Sequence, residues 1–167
     1  MLNKIKTLIF GTTALAITSC SDGARDPKAD VQAMADFLYS FAIHMLETQK
    51  AFAPFGVALS TSGEQLPLDV TAGNPDMDDN QLVAILESKF KKGADDGEYI
   101  ATALAYNVSA VSPYTNSKVD GIAVKADHLA GYSGVIIYPY TITDNGVEFG
   151  QTWAQPGDGT IFNALNK

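Results

Sequence analysis

The chain contains a single cysteine, Cys20, among its 167 residues. One cysteine excludes any disulfide within the chain, so packing alone must hold the domain together, even in an oxidising compartment. Histidine is almost as scarce, with two residues, and no H-E-x-x-H motif, cysteine pair or phosphate-binding loop occurs. The sequence therefore predicts no metal site and no cofactor.

Basic residues are also few. Lysine and arginine number eleven against nineteen acidic residues. Residues 1–19 hold two of the lysines and no acid, so the rest of the chain has nine basic and nineteen acidic residues. This charge argues against nucleic acid, whose phosphates require a basic surface, and is compatible with a basic protein partner. Ordinary solubility is the alternative explanation of the charge.

The sequence has no apolar run long enough to span a membrane. Its longest candidate, Leu8 to Ile17, covers about ten residues, whereas a membrane-spanning helix needs roughly 20. Lys4 and Lys6 precede this run, and small polar residues follow it. That layout is typical of a secretory signal peptide, which we predict over residues 1–19. The alternative is a buried N-terminal helix of the domain.

The cysteine directly follows the predicted signal. The stretch Ile17-Thr18-Ser19-Cys20 resembles the lipobox of bacterial lipoproteins, although Thr is less common at its second position. The resemblance implies that Cys20 carries a diacylglyceryl group and begins the mature chain. Two acyl chains suffice for stable anchoring. The resemblance implies a location in the cell envelope. Ser21, not Asp, follows the cysteine, which in such lipoproteins implies the periplasmic face of the outer membrane if the host has two membranes. A free thiol or an intermolecular disulfide is the alternative.

Residues 20–30 are polar and contain Gly and Pro, which predicts a flexible tether after the lipidated cysteine. Residues 31–167 have the length of a single globular domain. The apolar residues from Val31 to Phe52 recur at helical spacing and predict a long helix, with Asp30 as its N-cap. We expect the broad apolar face of this helix to be buried; it includes Val31, Met34, Phe37, Leu38, Phe41, Met45 and Leu46.

Two short strands, a second helix at 81–92 and a strand-rich second half complete the predicted domain. The long segment 98–111 carries Ala101, Ala103 and Ala105 on one face, which predicts a central strand approached closely by a helix. The predicted class is α+β, in the order α-β-β-α-β-β-β-β, with two main helices and an antiparallel sheet of about five to six strands. This order is similar to that of profilin-like and roadblock-like scaffolds, which host interaction and ligand-binding modules.

Two further segments resemble other proteins weakly. The chain shares a PFG strand near its start and a late PG-containing segment with small uncharacterised bacterial domains, a resemblance that implies no activity. The acidic segment 74–80 resembles the start of a calcium loop. However, Asp79 stands where the loop requires Gly, and Ile85 where it requires Glu. Helix capping explains these acids better.

No catalytic constellation is apparent. Asp127 and His128 are the only acid–base neighbours, and adjacent strand residues point to opposite faces. Tyr138, Tyr140 and Trp153 flank the hairpin signal Asp144-Asn145-Gly146 and predict a binding surface; core packing is the alternative. We expect a non-catalytic binding or interaction module. The alternatives are an immunity or inhibitor lipoprotein against a secreted toxin or lysozyme-like enzyme, and an unrecognised hydrolase.

Overall fold

The computed structural model describes residues 25–162; the predicted signal peptide, Cys20 and residues 21–24 of the predicted tether lie outside them. The helices and strands are α1 (Pro27–Gln49), β1 (Phe55–Ser60), β2 (Gln65–Leu68), α2 (Asp79–Asp95), β3 (Tyr99–Val111), β4 (Lys118–His128), β5 (Ser133–Thr143), β6 (Gly146–Phe149) and β7 (Trp153–Pro156). The predicted α+β class and its two main helices are confirmed.

One antiparallel sheet contains all seven strands, in the order β2-β1-β3-β4-β5-β6, with β7 also on β5. The last two strands both pair with β5: β6 with Tyr140–Thr143 and β7 with Gly134–Ile137. Between them lies Pro139, which has no N–H for the ladder, although its carbonyl still accepts a hydrogen bond from Gly150 N at 2.8 Å.

The first helix begins earlier than the sequence predicts. Asp26, not Asp30, is the N-cap, and its carboxylate accepts a hydrogen bond from Lys28 N at 3.0 Å. Pro27 occupies the first helical position, where its missing N–H costs nothing. Asp30 lies in the first turn and pairs with Arg25 at 3.0 Å. Residues 27–30 of the predicted tether are therefore helical.

The acids before the second helix cap it, as predicted. Asp78 is the N-cap of α2 and accepts from Gln81 N at 2.9 Å, while the Gln81 side chain accepts from Asp78 N at 3.0 Å. This reciprocal capping box satisfies two N–H groups that the helix leaves free.

The two helices lie on opposite faces of the sheet. The alanine face of β3 lies under α1, as predicted, and its methyl groups let the helix approach closely. The layer between α1 and the sheet includes Val31, Met34, Leu38, Leu46, Val57, Ala101, Ala103, Ala105, Ile122 and Val124. The layer on the α2 side includes Ala58, Val70, Leu82, Leu86, Phe90, Leu104, Ile161 and Phe162.

Candidate functional site

Two of the three predicted binding aromatics lie together against α1. Tyr138 stacks on Tyr39 of α1, with ring centroids 4.1 Å apart. Tyr140 lies on the same face of β5 and donates its hydroxyl to Asn107 Oδ1 at 3.0 Å. Both rings are half-buried, and burial raises the pKa of both phenols. These contacts show Tyr138 and Tyr140 packing α1 against the sheet.

Trp153 lies on the other face. It pairs directly with Ile137 of β5, and residues directly opposite each other share a face of the sheet. Ile137 precedes Tyr138, so the two point in opposite directions. The structure therefore does not bring Trp153 together with Tyr138 and Tyr140. Cys20, the predicted lipidation site, lies outside the described residues.

A different surface, an apolar groove along α1, was not predicted. Phe37, Phe41 and Met45 are spaced four residues apart and form one row on the helix. Phe37 is 40% exposed and Phe41 is 45% exposed. The facing wall comes from the segment before β1, the start of β1 and the end of β2, and includes Phe52, Pro54, Phe55, Pro67 and Leu68. The groove between them has a volume of about 280 Å³.

The sequence predicted a buried position for this row, and the exposure of Phe37 and Phe41 corrects that. The apolar arc of α1 is wider than the strip that the sheet covers. Val31, Met34 and Leu38 face the sheet and are buried, whereas the Phe37–Met45 row lies at the side of that strip. A helix that packs on a sheet needs only one apolar stripe. An apolar arc wider than that stripe is therefore the feature of the sequence that could have indicated an exposed apolar surface.

Aromatic contacts and a short hydrogen-bond chain fix the groove wall. Phe55 packs edge-on against Phe41 and Phe52, with centroids 4.8 and 5.9 Å apart. The Asn107 amide donates to the Phe52 carbonyl at 2.9 Å and accepts the Tyr140 hydroxyl. Tyr140, predicted as a contact residue, thus supports the groove through Asn107 and Phe52.

Asp69 is the one charged residue among those lining the groove. Its carboxylate accepts hydrogen bonds from the backbone N–H of Thr71 at 2.8 Å and from the Thr71 hydroxyl at 2.7 Å. These bonds hold the pKa of Asp69 below its usual value. The groove therefore combines apolar walls with one carboxylate that is ionised at neutral pH.

The acid–base neighbours of β4 are separated, as the alternation of a strand predicts. Asp127 Oδ2 accepts from Ile161 N at 3.4 Å on the α2 side. His128 Nδ1 accepts from Ala130 N at 2.9 Å, and its Nε2 lies 3.5 Å from Asp30 Oδ2 on the α1 side. Both residues are buried and contribute to contacts between elements of the fold, away from the groove.

Residues 25–162 contain neither a metal-binding cluster nor a membrane-spanning helix. No group of three or more His, Cys, Asp or Glu side chains there is arranged to hold a metal ion. None of the helices described is long and apolar enough to cross a membrane.

No family model, curated protein or solved structure matches the chain. Function is therefore inferred from the residues and geometry described above.

Proposed function

We propose that this protein is a lipid-anchored binding module of the cell envelope, non-catalytic, that holds its partner in the groove beside α1. The observation that carries the proposal is the row of exposed Phe37, exposed Phe41 and half-buried Met45, which faces a fixed apolar wall. Single exposed apolar side chains are common on protein surfaces. Contiguous apolar patches with a concave shape mark binding sites instead.

The position of the groove suits an anchored protein. Cys20 precedes Arg25 by five residues, which reach at most about 17 Å. Phe41 follows Pro27 by fourteen residues, about 21 Å along the helix axis. A lipid on Cys20 holds the N-terminal end of α1 near the bilayer, while the groove lies along the C-terminal half. Such an arrangement presents the groove to partners in the surrounding compartment.

An inhibitor or immunity lipoprotein is the second candidate. It is favoured by charge, because residues 25–162 contain eight basic and eighteen acidic residues. Secreted enzymes with a basic surface would be attracted to such a domain. In this case the groove partner is the enzyme itself.

The anchor is tested separately from the groove. The change Cys20→Ser should release the protein from the membrane fraction or leave its precursor uncut. Mass spectrometry of protein extracted from membranes should show acylation on Cys20 of the unaltered chain. An unmodified Cys20 in membrane-extracted protein contradicts the anchor.

The groove is tested by photo-crosslinking in the native envelope. Benzoylphenylalanine in place of Phe41 should give a discrete adduct that disappears when Phe37 is also changed to Ser. The matched control places the same crosslinker at Tyr114, which is 52% exposed and lies outside the groove. Equal adducts at both positions, or none at position 41, contradict a binding groove.

A further inference from the structure

The charge around the groove is uneven. Between Lys50 and Lys89 the chain has no basic residue, and this stretch supplies the whole β1–β2 wall. The same stretch contains six acidic residues, namely Glu64, Asp69, Asp76, Asp78, Asp79 and Glu87. Asp69 lines the groove, and the loop that follows it carries two of the others, Asp76 and Asp78. Among the residues that line the groove, Asp69 is therefore a carboxylate with no lysine or arginine beside it.

We infer that the groove takes a polypeptide segment in which a large apolar side chain stands next to lysine or arginine. This inference rests on the proposed binding function and specifies the chemistry of the partner. The apolar side chain enters the groove and contacts the exposed faces of Phe37 and Phe41, and the cation lies beside Asp69. The carboxylate of Asp69 and the cation of the partner are complementary in charge at the rim of an apolar site. Such complementarity favours one partner over others and raises its rate of association.

The size of the groove fits this occupant. Pockets for drug-sized ligands have volumes of about 300–1,000 Å³, and the groove, at about 280 Å³, lies just below that range. One aromatic or long aliphatic side chain with its neighbours fills such a space. Aromatic residues and arginine are also the side chains that most often dominate binding energy at protein interfaces.

The alternative of strand addition is disfavoured by Pro67. β2 is the edge strand beside the groove and spans only four residues, Gln65–Leu68. Pro67 has no N–H and cannot donate to an added strand. A partner that adds a strand depends on main-chain hydrogen bonds for its affinity. Recognition at this groove therefore comes from side chains, as the inference requires.

Three capped pentapeptides serve as probes: Lys-Lys-Trp-Lys-Lys, Glu-Glu-Trp-Glu-Glu and Lys-Lys-Ala-Lys-Lys. They are titrated into the mature chain, residues 20–167, with Cys20→Ser to keep it free of lipid. Methyl NMR of methionine reports the site, since Met45 lines the groove, Met34 is buried in the core and Met77 is exposed outside the groove. We expect the Lys-Trp peptide to shift the Met45 methyl and to leave the Met34 and Met77 signals in place.

The three peptides separate the contribution of charge to binding from the contribution of the apolar side chain. The Glu-Trp peptide should bind at least about tenfold more weakly, and rising salt should reduce this difference because exposed charges become screened. The Lys-Ala peptide should not shift Met45. Asp69→Asn should reduce the preference for the Lys-Trp peptide, while Phe41→Ser should remove binding of both Trp peptides. Tyr114→Ser, at an exposed aromatic outside the groove, should leave all three titrations unchanged.

Equal affinity for the two Trp peptides would overturn the inference, as would shifts at Met77 without Met45. The result also separates the inference from the proposed function. A crosslinked adduct at position 41 without a charge preference leaves the binding module standing and removes the cationic partner. No adduct and no peptide binding removes both. A melting curve of Phe41→Ser that keeps its cooperative transition shows that lost binding is not lost folding.

Discussion

The two faces of the sheet are covered in different ways. One face lies mainly under α1 and is packed by an apolar layer that includes Leu38, Ala103 and Val124. The other is shared between α2, which covers β1 and β3, and the segment 157–162, which crosses β4 and β5. On this second face Lys125 lies between Glu87 and Asp158, with both N–O distances at 2.9 Å.

The difference shows two ways of closing a small domain without disulfides. Under α1, close packing of small and branched side chains supplies the stability. On the second face, specific polar contacts position a segment that has no regular structure. Gly159 N donates to Ser133 Oγ at 3.0 Å. A Cβ at Gly157 would collide with that same oxygen. The segment can cross the strands because position 157 has no side chain.

The largest expected effect is overpacking of the α1 face. Ala103→Leu adds three carbons to a site that is 1% exposed beneath the helix, and we expect a loss of roughly 1–3 kcal/mol in the free energy of unfolding. The measurement is urea denaturation. Ala154→Leu is the matched control at an exposed strand position, where a change within about 0.5 kcal/mol is expected. Equal stability of Ala103→Leu and the parent would place the alanine face away from the helix.

The second face should respond to loss of its ion pairs. Lys125→Met keeps the length of the side chain and leaves Glu87 and Asp158 without their shared cation. The Lys125 side chain is only 14% exposed, so we expect a loss of about 1–2 kcal/mol. Lys91→Met breaks an exposed pair with Asp95, at 3.7 Å, and should cost less than about 0.5 kcal/mol. Similar costs for the two variants would mean that the buried position of Lys125 adds nothing.

The hydrogen-bond chain behind the groove should give a smaller effect than either of these two changes. Tyr140→Phe removes the donor to Asn107 and keeps the ring, so we expect a loss of about 1 kcal/mol. Because Asn107 also donates to the Phe52 carbonyl, amide hydrogen exchange should increase around Phe52. Tyr138→Phe is the control, since the stacking of its ring on Tyr39 is retained. If Tyr140→Phe keeps its stability and loses partner binding, Tyr140 is a contact residue after all.

Much of the fold was predictable because its signals are local. The alternation of Ala101, Ala103 and Ala105 identifies the central strand and its helix-covered face without any long-range information. The acids before α2 likewise identify a cap by their spacing to Gln81. These features depend on residues within one element, where the periods of strand and helix apply directly.

The candidate site was less predictable because it depends on distant parts of the chain. The helical period shows that Phe37 and Phe41 lie on the apolar side of α1, but not how far the sheet extends beneath them. The position of the β1–β2 wall decides their exposure. Trp153 comes four residues after Phe149, so uninterrupted alternation would place both side chains on the same face of the sheet. Because β6 and β7 pair with β5 on either side of Pro139, Trp153 lies on the opposite face instead. Lys125 meets residues 38 and 33 positions away, a pairing that no local pattern contains.

The smallest expected effect is the response of the second face to acid. A hydrogen bond from Lys125 holds the pKa of Asp158 below its ordinary value of 3.8, and burial opposes this only in part. The unfolded chain therefore binds more protons than the folded chain between the two pKa values. The stabilisation by Asp158 is complete above about pH 4 and is lost as the pH falls through the lowered pKa. The Asp158 side chain is 54% exposed, so the loss is modest.

Asp158→Asn should accordingly make the free energy of unfolding fall less steeply below about pH 4, as measured by urea denaturation across an acid series. The same change in the Lys125→Met background should have a smaller effect on that slope, because only the hydrogen bonds from Thr160 then lower the pKa of Asp158. Asp30→Asn tests the α1 side, where a hydrogen bond from Arg25 lowers the pKa of Asp30. An acid slope that depends on Asp30 and not on Asp158 would mean that the Lys125–Asp158 pair does not help to hold the segment 157–162 in place, and that its other contacts attach it.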